Sequence, residues 1–187
     1  MRIFIIVMCL IGSCYIAGAQ TQPIETPFAV PVDSITNLIT YEGVIEVKGH
    51  DAATLYNRIV DWLYSYYKNP RDVIRQNDSV THVAVGKPRV AIFSPPDKDG
   101  SKSPAGHIQY TLTIAARDGR FKYELTEFNW KQTSYYPCER WLDTQASSYV
   151  PAYNDYLQQL DKISYELINS LKEAVTKEKP VKNKNNW

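Results

Sequence analysis

The side chains best suited to chemistry crowd into the stretch from Trp130 to Trp141, which holds Trp130, Tyr135, Tyr136, Cys138, Arg140 and Trp141. Aromatic rings with polar edges, together with a guanidinium, can stack on the apolar face of a sugar, a lipid or a peptide. Trp130, Tyr135, Tyr136, Arg140 and Trp141 therefore form the candidate ligand-binding set. The same rings could simply plug the end of a sheet beneath a helix, which is the more ordinary use of such a cluster, so the pattern permits a site but favours a core.

Cys138 suggests a second chemistry, because a thiol can act as a nucleophile when a base is folded against it. His50, His82 and His107 are the available imidazoles. No local signature pairs any of them with Cys138, and its neighbours Tyr136, Pro137 and Trp141 favour a packing role. The histidines lack the short paired spacing of a metal site, and nothing in the chain implies a cofactor. Glu124 and Glu127 share one strand, whereas hydrolytic carboxylate pairs face each other across a cleft. A phosphate-binding glycine loop and a G-x-S-x-G elbow are both missing. The leading expectation is a non-catalytic binding domain whose partner is a glycan, a lipid or a protein. The alternative is an envelope hydrolase or transferase using Cys138 with a histidine. A third reading is a structural partner subunit, marked by an exposed apolar patch.

These residues must be positioned by the elements around them. Asp118-Gly119 predicts a two-residue type I′ hairpin between the alternating run Ile108–Ala116 and the run that begins at Phe121 and reaches Trp130. That turn sets Ala116 opposite Phe121, Ile114 opposite Tyr123 and Leu112 opposite Leu125, all on one face. Phe128 and Trp130 then have the wrong parity. One extra residue near Thr126-Glu127 restores it by setting Tyr110 against Phe128 and Ile108 against Trp130, so a bulge is expected, in preference to an apolar outer face that would form the lip of a binding surface.

Upstream, Ile39 to Val47 alternates as a half-buried strand. Asp51 is placed to cap a helix with the stripe Leu55, Ile59, Trp62, Leu63 and Tyr66, which Asn69-Pro70 should end. Two short strands are expected over Asp72–Asp78 and Thr81–Phe93, the second confined to an edge or interrupted at Pro88. Lys131–Ser148 shows no period and predicts a packed loop. Tyr153, Tyr156, Leu157, Leu160, Ile163, Leu167, Leu171 and Val175 predict a long covering helix.

The N-terminus has the pattern of a secretory signal peptide over residues 1–19: Arg2, the apolar run IFIIVMCLIG, then Ala17-Gly18-Ala19. The apolar run is shorter than the roughly 20 residues of a membrane span, so the mature chain is expected to carry no transmembrane span. Ile11-Gly12-Ser13-Cys14 offers a competing reading as a lipobox with acylation at Cys14, although the following YIAGA lacks a polar tether. Cleavage before Gln20 leaves Cys138 as the one cysteine, so packing rather than disulfides must stabilise the fold. It also removes Arg2 and no acid, taking the formal charge from +1 to zero. Nucleic-acid binding thereby loses its usual electrostatic footprint. Residues 20–37, with Pro23, Pro27 and Pro31, predict an extended lead-in. A single α+β domain follows over 38–176, and 177–187 read as a frayed basic tail. Asp33-Ser34-Ile35 and Asp78-Ser79-Val80 match a short bacterial O-glycosylation pattern that also arises by chance.

Gly49, the run Leu55-Tyr56-Asn57-Arg58 with Trp62, and Arg117-Asp118-Gly119-Arg120-Phe121 together resemble a secreted bacterial family of domains of unknown function described as having a TBP-like fold. The resemblance spans roughly Leu38 to Trp130, and the last helix agrees in position only. It implies a β-α-β4-α order and a strongly bent antiparallel sheet packed against two helices, the order the periodicities give on their own. It implies no activity, since a fold is not a function. An exported, neutral chain of the bacterial periplasm or cell surface is not expected to inherit DNA binding.

Overall fold

The computed structural model describes residues 28–177. The signal-peptide pattern, Cys14, the start of the lead-in and all but the first residue of the basic tail lie outside the described residues. The elements run β1 (Tyr41–Glu46), α1 (Ala52–Tyr66), α2 (Pro70–Val73), β2 (Ile74–Asp78), β3 (Val83–Gly86), β4 (Arg89–Phe93), β5 (Pro104–Arg117), β6 (Arg120–Lys131), β7 (Tyr135–Pro137), the 3₁₀ turn Cys138–Leu142, and α3 (Ala152–Thr176). One antiparallel sheet holds all seven strands in the order β1-β6-β5-β3-β2, with β4 also on β5 and β7 on β6. The single antiparallel sheet with covering helices expected from the sequence is therefore present, with finer divisions.

Two divisions have plain causes. Pro88 has no amide to donate, so the run Thr81–Phe93 splits into β3 and β4, which pair with different halves of β5. The segment expected to begin a strand at Asp72 starts instead as a helical turn, because Pro70 at its first position presets a helical φ. The lead-in also departs from the extended form expected of it. Asp33 accepts hydrogen bonds from the amides of Ile35 and Thr36 and from the Thr36 hydroxyl, and Asn37 takes a φ of 58°. The chain folds back there, and Val32 bridges Ile39.

The hairpin register is the one expected, down to Arg117 opposite Arg120, but the turn is not type I′. Only Gly119 takes a positive φ, at 72°. Asp118 is committed elsewhere, its carboxylate accepting from Ala52 N at 2.8 Å beside the Asp51 cap of α1, which accepts from Thr54 N at 2.7 Å. The hairpin tip thus fastens the start of α1.

The bulge is where parity demanded it. Pairing shifts between Gln109 and Thr111, and Glu127 supplies the extra residue with a φ of 54°. A glutamate in that conformation is strained. The Glu127 carboxylate accepts from the Thr111 hydroxyl at 2.6 Å and lies 3.4 Å from Lys87 Nζ, which offsets the strain. Phe128 consequently points inward and stacks on Tyr110, with centroids 5.2 Å apart, and Trp130 sits opposite Ile108.

The helices cover the inward face. Leu55, Tyr56, Ile59, Trp62 and Leu63 of α1 and Leu157, Leu160, Leu167, Leu171 and Val175 of α3 are buried with Tyr110, Leu112, Phe121, Leu125 and Phe128 of the central hairpin. Tyr66, expected on the buried stripe, is 40% exposed. Polar anchors lock the layers: Trp62 Nε1 donates to Ser170 Oγ, Tyr41 to Asp161, and Arg58 to the Val175 carbonyl at the end of α3.

Candidate functional site

Lys131–Ser148, expected to be a loop, contains β7 and the 3₁₀ turn. Asn129 to Lys131 pair with Tyr135 to Pro137, which brings the chain back over the end of β6. Three residues suffice for this short addition, too few to produce a readable period. The 3₁₀ turn then buries Cys138 and Trp141, and the start of α3 closes the other wall with Tyr153 and Tyr156.

An aromatic box results. The Trp130 ring lies 5.6 Å from Trp141, 5.8 Å from Tyr156, 6.0 Å from Tyr153 and 6.3 Å from Tyr136. Trp141 stacks on Tyr153 at 5.9 Å. Backbone glycine places the indole: Trp130 Nε1 donates to the Ala105 carbonyl at 2.8 Å, and Gly106, with a φ of 110°, lets the two strands approach that closely. Arg140 lies over the Tyr136 ring, 5.6 Å from its centroid.

Against this box opens a cleft of about 280 Å³, lined by Trp130, Tyr136, Arg140 and Trp141 with Gln132 and Tyr153, and completed by Pro137 and Ser148. Four of the five expected binding residues line it. Tyr135 does not: consecutive strand residues point to opposite faces, and its hydroxyl donates to Gln109 while Lys131 covers its ring. The box is also part core, since Trp141 is 1% and Trp130 9% exposed, leaving Tyr136 and Arg140 as its accessible wall. The cluster thus has a buried inner layer, Trp130 and Trp141, and an accessible outer layer, Tyr136 and Arg140. Gln132, Ser148 and Tyr153 escaped sequence reasoning. The first two are isolated polar residues without a partner spacing, and Tyr153 belonged to a helical stripe already accounted for as core.

The cleft's lining includes no carboxylate, thiol or imidazole. Its rings, amide, hydroxyls and guanidinium can hold a ligand by stacking and hydrogen bonding. Cys138 lies behind the box with no exposure, and burial pushes its thiol well above the usual range. The Glu139 carboxylate adds to that rise, a backbone hydrogen bond from Trp130 opposes it, and no histidine acts on it. The sulfur is packing, which removes the physical basis of the Cys138-based alternative.

The histidines serve the fold. His50 Nε2 accepts from Arg58 at 2.9 Å, leaving Nδ1–H to donate to the Lys48 carbonyl. His82 takes a φ of 56° in the turn before β3 and meets Tyr56 edge-on. His107 is exposed opposite Lys131. Among the described residues no group of histidine, cysteine and carboxylate side chains could hold a metal ion. Glu124 faces Thr113 and lies 3.4 Å from Lys122, an ordinary outer-face pairing. Ser34 and Ser79 are both exposed in turns closed by the preceding aspartates.

Comparison with known proteins adds family and fold. Residues 41–131 match the model of a domain of unknown function, DUF4468, with TBP-like fold. A TBP-like protein from Parabacteroides distasonis ATCC 8503 superposes with a TM-score of 0.66 at 13% identity, over 80% of this chain and 99% of the other. A DUF4468 family protein from Bacteroides ovatus ATCC 8483 gives 0.64 at 15% identity, over 80% and 94%. At such identities the likeness speaks for fold alone. No functionally curated protein matches the chain. Family model and fold agree: residues 41–131 form a domain of the DUF4468 family, a domain of unknown function with a TBP-like fold.

Proposed function

We propose that this protein is an exported, non-catalytic binding domain of the bacterial cell envelope that holds a glycan in the cleft at the end of its sheet. The observation that carries the reading is the lining of the cleft, which combines the rings of Trp130, Tyr136, Trp141 and Tyr153 with the polar groups of Gln132, Arg140 and Ser148. A pyranose ring presents the matching surface, an apolar face rimmed by hydroxyls. Volume supports the same choice. About 280 Å³ lies at the lower edge of ligand pockets, roughly 300–1,000 Å³, which suits one sugar ring projecting from a longer chain. A lipid tail would meet too many polar groups, and a stable protein partner requires a far wider surface. Export rests on the N-terminal sequence. No helix among the described residues is long and apolar enough to cross a membrane.

The test is a calorimetric titration with neutral envelope-type saccharides, chitotriose first, on the protein beginning at Gln20. Saturable binding is expected, weakened about tenfold or more by Tyr136→Ala and by Arg140→Ala, each with unchanged melting temperature. Absence of saturation across the panel, or binding indifferent to both substitutions, overturns the reading.

A further inference from the structure

A second cleft, of about 440 Å³, lies where the end of α1, the α2 turn, β2 and the β3–β4 junction meet. Its walls carry Lys68, Arg75, Lys87 and Arg89 against a single carboxylate, Asp72. Four cations to one acid is a strong local imbalance in a chain whose formal charge is only +1. Like charges around one concavity raise each other's energy and focus a positive potential into it.

The cations are incompletely engaged. Lys87 is 3.4 Å from Glu127, and Arg89 uses its Nε to donate to Gln109 Oε1 at 3.1 Å. Lys68 and Arg75 form no ion pair among the described residues. The Tyr67 ring stands in the wall, with its hydroxyl buried beneath the surface and turned to the Tyr110 phenol. Burial, with the neighbouring Tyr110 phenol adding, raises its titration far above the ordinary phenol range, so it remains an O–H donor.

We propose that this cleft binds a phosphomonoester of about sugar-phosphate size. Two guanidiniums offer the planar forks that match phosphate oxygens, and the lysines add point charge. The volume exceeds what a bare phosphate fills, leaving room for the group that carries it. The occupant is either a soluble sugar phosphate or the phosphorylated headgroup of an envelope lipid. The site shares no residue with the aromatic cleft and stands independently of it.

The experiment is titration of the protein beginning at Gln20, at low ionic strength, with glucose 6-phosphate, and separately with phosphatidylcholine vesicles with and without phosphatidic acid. Glucose and plain phosphatidylcholine vesicles are the neutral controls. Saturable binding to a phosphorylated probe is expected, falling about tenfold in the Arg75→Gln/Arg89→Gln double variant, and declining with added salt. Response to glucose 6-phosphate identifies a soluble ligand, and response to phosphatidic acid alone identifies the lipid headgroup. Failure of both phosphorylated probes overturns the proposal. So does equal binding of the neutral controls, or binding unchanged in the double variant, whose exposed arginines can be replaced without disturbing the core.

Discussion

Replacing Gly106 by alanine should disturb the aromatic box from behind. The new Cβ would lie 2.6 Å from the Lys131 carbonyl oxygen and 3.0 Å from Trp130 Nε1, and the backbone φ of 110° is one that L side chains rarely adopt. Strain at such a φ costs about 1–3 kcal/mol. Relieving the carbonyl contact requires β5 and β6 to separate locally, and that weakens the bond from Trp130 Nε1 to Ala105, a net loss of about 0.5–1.5 kcal/mol. Together the expected destabilisation is about 2–4 kcal/mol, or roughly 5–15 °C in melting temperature for a domain of this size. Gly119→Ala is the control, because its φ is 72° but nothing lies within 4 Å of the new Cβ. It should lose only the strain, about 1 kcal/mol. Urea unfolding gives the magnitudes, and the indole N–H signal of Trp130 should move in Gly106→Ala alone. Equal destabilisation by the two substitutions, or an unmoved Trp130 signal, would refute the view that this glycine seats the indole.

Other consequences can be measured in parallel. Arg58→Ala removes a guanidinium that caps the last carbonyls of α3 and holds His50, and should cost about 1–2 kcal/mol in urea unfolding, with the loss appearing as fraying of α3 in hydrogen exchange. Cys138 should resist thiol reagents in the folded protein and react only on denaturation, with thiol release tracking the unfolding curve. Asp33, Asp51 and Asp78 are held below their ordinary value of 3.8, chiefly by hydrogen bonds from Thr36, Thr54 and Thr81 respectively. A carboxylate lowered in the folded state stabilises fully above its unfolded value and loses that contribution as pH falls through the folded one. The urea midpoint should therefore fall below about pH 4, and less steeply in the Asp33→Asn/Asp51→Asn/Asp78→Asn variant.

The parts of this fold legible in the sequence are those governed by local periodicity. Parity along β6 placed the bulge near Thr126-Glu127, because Phe128 and Trp130 can both face inward only if one residue is added before them. The stripes of α1 and α3 and the Asp51 cap were equally plain. What escaped depends on contacts remote in sequence. Asp118 forgoes the type I′ geometry because it reaches Ala52, sixty-six positions away. β7 and the 3₁₀ turn are too short to carry a period, yet they build one wall of the cleft. Composition flagged the aromatic cluster, but only the alternation of β7 separates Tyr136, inside it, from Tyr135, outside. The basic cleft draws Lys68, Arg75, Lys87 and Arg89 from four segments, none of which is a charge run by itself.

The central claim is that the aromatic cleft is a ligand site, and the indole N–H signals of the protein report on it directly during a saccharide titration. Trp130 and Trp141 line the cleft, whereas Trp62 donates to Ser170 in the contact between α1 and α3. A seated sugar should shift the Trp130 and Trp141 signals along one saturable isotherm and leave Trp62 in place. Signals of Trp130 and Trp141 that stay fixed throughout, or that move only together with Trp62, would contradict the account.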